Sequence, residues 1–232
     1  MDIIRPRLTD YHGIHKNQAD LDFAIQFFDE DIPLYVDPFL LWKSPSQQDN
    51  ALYTTITNSF NHLNYLIKKK QEDEALSILI DISECHEVGL GVSKTRKGTK
   101  ISEKQAQDIL SLFKDIPEYS QFGFTHFEII QLYISGISKD RISDITCNYL
   151  KSFLIDYTIE QCEINKIPTE GVILDSIYNY KTNKLDTNQK VYLPVNPLTK
   201  EPLIFTPKRW LRFNTWINYE DYFQKYCPRD EI

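Results

Sequence analysis

Apolar residues recur at helical spacing along much of the chain. Leu52, Ile56, Phe60, Leu63 and Ile67 keep steps of three or four, which predicts a helix after the polar loop at residues 44–50. Lys68, Lys69 and Lys70 close it, where cations complement the negative end of the helix dipole. A second helix is predicted over residues 72–82. Ser102 and Gln105 have the spacing of a capping box and open a helix reaching about Lys114, with Pro117 just beyond its stop. Residues 127–133 read as a short helix ended near Gly136. The longest stripe is Ile142, Ile145, Thr146, Tyr149, Leu150, Phe153, Leu154 and Tyr157. It predicts one helix of about 25 residues, from Lys139 to Asn165.

Strand-like runs stand at the two ends. Residues 31–38, Asp-Ile-Pro-Leu-Tyr-Val-Asp-Pro, read as a short buried strand between turn formers, and residues 39–42 continue the apolar run. A short helix is expected over 21–28. After Pro168 and Gly171 the pattern changes. Residues 172–178, 190–193 and 202–206 read as strands, separated by Asn- and Pro-rich turns at 181–188 and 196–200. From Lys208 to Tyr226 the tail carries Trp210, Phe213, Trp216, Tyr219, Tyr222, Phe223 and Tyr226, the spacing of a short docking helix or of a partner interface. The expected fold class is α+β, a mostly helical body with a small antiparallel sheet near the C-terminus. Its expected division is residues 1–168, helical with a short N-terminal strand, and 169–232, a small β region with the aromatic tail.

Composition narrows the class. Among 232 residues, 41% are hydrophobic and 25% charged, which excludes a wholly disordered chain. Seven glycines and eleven prolines exclude collagen-like or linker-rich designs. The N-terminus shows no secretory pattern, and the apolar runs are too short to cross a bilayer. Cys85, Cys147, Cys162 and Cys227 form no CxxC pair or zinc spacing and read as reduced thiols. The expected setting is cytoplasmic, away from membranes. Abundant Ile, Asn and Lys fit an AT-rich, bacterial genome.

Charge changes the picture more. The net charge of −7 excludes a general nucleic-acid coat. Yet residues 20–37 carry acidic charges without a base, while 94–100 and 208–212 are purely basic. Asp31 and Asp37 flank the predicted strand, each able to face a cleft at its end and hold a hard cation. Glu84-Cys-His-Glu87-Val-Gly-Leu-Gly91 brings further acid–base types ahead of a basic loop. Lys94, Arg96, Lys97 and Lys100 lie just before a helix N-terminus, a place suited to phosphate. Arg141, Asp144, Asn148 and Lys151, at i, i+3, i+7 and i+10, share one helix face opposite the apolar stripe. That face predicts a polar site or a buried network joining the helix to the β region. Lys208, Arg209 and Arg212, interleaved with Trp210, suit phosphates and bases or a docking surface.

Several of these stretches, taken in order, resemble an uncharacterised bacterial family of hypothetical proteins associated with anti-phage defence or mobile-element loci. They are the 31–38 run, Glu87-Val-Gly-Leu-Gly91 with the Gly98 loop, the 136–146 stretch, Thr158, Cys162, Ile167-Pro168, Leu193-Pro194 and Pro207-Lys208. The resemblance covers most of the chain, implies more chain beyond its end, and carries over no catalytic residue.

Two functions lead the expectations from this pattern. In one, Asp31, Asp37, Glu87 and Asp144 serve a metal-dependent nucleic-acid-cleaving effector. Asp37 and Glu87 would ligate Mg²⁺, which activates water, and Lys94, Arg96, Lys97, Lys100, Lys208 and Arg209 would hold the phosphate backbone. In the other, the chain is a non-catalytic adaptor or sensor subunit that contacts protein partners from the same operon. A third expectation places a small phosphorylated ligand at the Gly98 loop.

Overall fold

Side-chain caps at Asp37, Ser46, Ser102 and Ser138 start four of the α-helices among the described residues. The computed structural model describes residues 7–94, 96 and 98–213. The chain opens with α1 (Leu8–Tyr11), β1 (Leu34–Val36) and α2 (Pro38–Trp42), which Asp37 starts by accepting from the Phe39 N–H. Ser46 caps α3 (Gln47–Lys68), and α4 (Glu72–Asp81) follows. Ser102 and Gln105 make both halves of the predicted capping box at α5 (Glu103–Asp115). Pro117 stands at the first turn of α6 (Pro117–Phe122), since a proline nitrogen is tolerated there. Then come α7 (Ile130–Tyr133), α8 (Lys139–Tyr149) and α9 (Lys151–Asn165). The long helix expected from Lys139 is therefore two helices, broken at Leu150, whose φ of −97° and ψ of 7° leave the helical basin. Apolar periodicity runs straight across that break, so it does not betray it.

Two small antiparallel sheets complete the α+β fold. One is a hairpin of β2 (Glu170–Asn179) and β3 (Lys184–Leu193), in register from Glu170–Leu193 to Asn179–Lys184. Asn183, at φ 53°, and the Asn179 carboxamide, accepting from the N–H groups of Lys181 and Thr182, close its turn. Residues 184–188, expected as turn, are thus strand. Leu174, Tyr178 and Leu193 face inward, and Tyr178 meets Tyr149 of α8 edge-on with ring centres 4.7 Å apart. The other sheet pairs β1 with β4 (Leu211–Phe213), matching Val36 to Leu211.

Two segments depart from local expectation because distant partners hold them. Residues 21–28 are extended, not helical. The Gln26 side chain donates to the carbonyls of Val88 (2.7 Å) and Ile204 (2.8 Å), and Phe23 stacks on Phe205 at 4.2 Å. Residues 203–205 form no ladder. Their N–H groups go to Pro194 O, Glu87 O and Thr158 Oγ1.

Residues on both sides of position 168 share the main core. Leu174, Tyr178, Leu193, Ile204 and Trp210 join Val36, Phe60 and Ile145 in the main cluster, and β1 pairs across the boundary with β4. A smaller cluster gathers Leu8, Phe23, Tyr157, Cys162 and Phe205. The aromatic tail past Phe213 lies outside the described residues, as does Lys97. Among the described residues no helix is long and apolar enough to cross a membrane.

Candidate functional site

α8 is buried on nearly every side from Ile142 to Tyr149, so its polar residues have to find partners inside the protein. They find them at the end of α4. Carbonyls at and just past a helix end have no intrahelical donor, and side chains of α8 supply donors to them. Asn148 Nδ2 donates to Ile82 O and Glu84 O, both at 2.8 Å, and Arg141 Nη1 donates to Ser83 O. Arg141 also pairs with Glu84 (3.2 Å) and Asp144 (3.4 Å). At the start of α9, Lys151 Nζ stands 3.0 Å from Glu87 Oε1, with both side chains less than a tenth exposed. The polar face is a buried network, as one of the two expectations had it. It ties α8 to residues 82–87, however, and not to the β region.

The glycines of this loop are seats for charged side chains. Gly89, at φ +59°, lies under the Arg96 guanidinium. A Cβ on Gly91 would fall 2.7 Å from Asp140 Oδ1, and one on Gly98 would meet the Glu84 carboxylate. Arg96 is 5% exposed and donates to Phe27 O (2.9 Å) and His86 O (3.4 Å). It is an internal strut.

The electrostatics follow from crowding. Asp31, Glu84, Asp140 and Asp144 influence one another around Arg96 and Arg141. Burial, with Asp140 and Glu84 adding to it against Arg96, pushes the Asp31 carboxyl up to about 6. Burial and neighbouring carboxylates also raise Asp140, and raise Asp144 well above the ordinary range. Glu87 differs. Burial alone would raise it, but Lys151, aided by His86, outweighs burial and holds it below the usual value. Burial pushes the thiols of Cys85 and Cys147 up.

Asp37 stands apart from this network. It pairs with Arg212 at 2.6 Å and lines a cleft of about 270 Å³ with Tyr35, Glu128, Gln131 and Lys139. The expected metal pair, Asp37 and Glu87, is therefore not brought together, whereas Asp31 and Asp144 share the network. Among the described residues no three His, Cys, Asp or Glu side chains are placed to hold a metal ion. The expected phosphate ligands are dispersed. Lys94 is exposed, Lys100 pairs with Asp81 at 2.6 Å, and Lys208 donates to Gln18 O and Ala19 O. Arg209 grips the fully buried Asp49 through two bonds of 3.0 Å.

One constellation has no local sequence signal. Tyr53 Oη lies 2.7 Å from His126 Nδ1 and 3.2 Å from Glu128 Oε1, and Glu128 also lines the cleft that holds Asp37. Trp42 meets His126 edge-on at 4.6 Å, and burial raises Glu128 above the usual carboxylate value. Such an array can share a proton among three groups. Tyr53 is on α3 and His126 is 73 residues away, so only the fold unites them.

A family model described as a domain of unknown function, DUF8370, matches residues 13–218. No curated protein and no solved structure matches.

Proposed function

The chain belongs to the DUF8370 family, and from that premise we propose that it is a non-catalytic adaptor or sensor subunit. In this reading it acts in the cytoplasm through contacts with protein partners, in the anti-phage setting that the resemblance implies. The observation that supports it is the engagement of the charged groups a nuclease would need. Glu87 faces the Lys151 ammonium in a buried pair, so a cation there would first have to displace a buried charge. Arg96, Lys208 and Arg209 already donate within the chain, which leaves less of their donor capacity for a phosphate backbone.

One observation favours the second reading, a Mg²⁺-dependent nuclease. Glu84 and Asp140 help raise the carboxyls of Asp31 and Asp144, and a divalent ion would relieve such repulsion, although among the described residues no three of these four are placed to hold one. The two readings separate on purified protein. The adaptor reading expects a stable complex with the products of neighbouring genes and no cleavage of DNA or RNA with or without Mg²⁺. Cleavage that requires Mg²⁺ and is lost in Asp144→Asn would overturn it. Phage plating with and without the gene tests the setting.

A further inference from the structure

From Asn50 to Ile67, eighteen residues of α3, the sequence holds no Asp, Glu, Lys or Arg, although a quarter of the chain is charged. A solvated helix face ordinarily carries Glu and Lys, which are also better helix formers than Asn and Thr. The chain's general taste for Asn and Lys does not explain the gap, because three lysines follow at once at 68–70.

Part of this uncharged face is structural. Asn61 exchanges two hydrogen bonds with the Phe124 backbone, and Asn64 holds the carbonyls of Tyr119 and Ser120. Thr54 and Thr55 bond back to the preceding turn. Asn58, His62 and Tyr65 turn elsewhere. With Thr55 they share one helix face at steps of three and four, and they look across a pocket of about 430 Å³ toward Tyr180 and Asn183 of the β2–β3 turn. Among the described residues, the pocket's lining holds no carboxylate, ammonium or guanidinium. Burial lowers the His62 pKa against the pull of Glu74, which favours the neutral imidazole.

The chemistry of the lining defines what it suits. Tyr65 and Tyr180 are about half exposed, at 52% and 47%, and offer ring surface. His62 stacks on Tyr65 at 5.4 Å and 24°. The amides of Asn58 and Asn183 offer both donors and acceptors. A charged ligand would lose hydration here, and the lining itself supplies no fixed counter-charge, Lys69 and Lys181 being side chains outside it. Lys69 and Lys181 lie over the two tyrosine rings at 5.6 and 5.9 Å. They are flexible side chains that a stacking ring would displace.

We propose that the pocket between α3 and the β2–β3 turn binds an uncharged, ring-shaped ligand bearing hydroxyl or amide groups, a hexose unit or a nucleoside. This stands apart from the adaptor reading, because ligand binding and partner binding are measured separately. The test is a ¹⁵N–¹H titration of the full chain with maltotetraose, cellotetraose, adenosine and uridine, alongside glucuronate and adenosine monophosphate. The expected result is saturable shifts at residues 55–65 and 180–183 with one neutral class, which identifies the source. Affinity should fall about tenfold or more in Tyr180→Ala and in Asn58→Asp, two substitutions on the pocket's rim, with the remaining spectrum unchanged. No saturable shift with any neutral probe would overturn the proposal. So would unchanged affinity in Tyr180→Ala, or charged analogues binding as tightly as neutral ones.

Discussion

Replacing Lys151 with Met removes the ammonium and keeps most of the side-chain stem. Lys151 and Glu87 are 4% and 6% exposed, so solvent screens their attraction little. The variant leaves the Glu87 carboxylate buried, facing the Cys85 thiol at 3.5 Å and His86 Nδ1 at 3.9 Å. Removing one partner of a buried pair costs about 3–5 kcal/mol. For a chain of this size that lowers Tm by about 6–20 °C. The pH dependence has a definite sign. In the native protein Glu87 is held below its ordinary value of 4.5, so its contribution is complete above that pH and fades as pH falls through the lowered value. In Lys151→Met the lone carboxyl rises above 4.5 instead, and the variant gains stability on acidification. The deficit, read by urea unfolding followed by circular dichroism, is therefore expected to be larger at pH 8 than at pH 5. Adding Glu87→Gln removes the stranded charge and should recover most of the loss. A deficit below about 1 kcal/mol at pH 8, or a double variant no better than the single one, would refute the buried-pair reasoning.

Three further outcomes are expected. Asp31 titrates in the folded protein at about 6, above its ordinary 3.8, so it lowers stability as pH rises between those values. Asp31→Asn should raise Tm at pH 8 and flatten the thermal profile across that window; a lower Tm at pH 8 contradicts it. Gly89→Ala combines a φ of +59° with displacement of the Arg96 guanidinium, and its loss by denaturant unfolding should be about 2–4 kcal/mol. Gly13→Ala, at φ +62° with nothing within 4 Å of the new Cβ, should lose only about 1 kcal/mol, and equal losses would contradict the seat assigned to Arg96. Arg209→Ala strands the fully buried Asp49 and should destabilise by about 2–4 kcal/mol, whereas Lys94→Ala should stay within about 0.5 kcal/mol in the same melts.

How much of this was legible depended on where each signal lives. Caps are local chemistry, and Ser102 with Gln105 marked the start of α5 correctly. The break at Leu150 was hidden because both helices bury their faces and the stripe continues through it. Residues 21–28 took an extended form because Gln26 reaches carbonyls 62 and 178 positions away, which no window of local propensity includes. The polar face of Arg141, Asp144, Asn148 and Lys151 was readable from its spacing. Its partners were not, since Ile82 O, Ser83 O and Glu84 O are backbone atoms and residue identity says nothing about them. Gly89-Leu-Gly91 carried a similar ambiguity. A glycine marks a close approach, but the approaching group was Arg96 or Asp140.

The opposed charge blocks gain a different meaning in the folded chain. Separated in sequence, the acidic stretch at 20–37 and the basic stretches at 94–100 and 208–212 suggested a cation site and a phosphate site. In the fold they meet one another. Asp31 lies in the field of Arg96, Asp22 lies 3.5 Å from Arg209, and Asp37 holds Arg212 at 2.6 Å. Each contact joins residues far apart in the chain. Two of them fasten the last described segment to the first fifty residues, beside the β1–β4 pairing that spans the same distance. Exposed pairs of this kind add little stability individually. Their stronger effect is on specificity, because a misplaced segment 208–212 would leave Asp49 buried without its guanidinium. That argument assigns the alternation of charge first to the register of the two chain ends. Ligand recognition is then left to surfaces whose lining is not spent on such pairing, and the uncharged face of α3 is one of them.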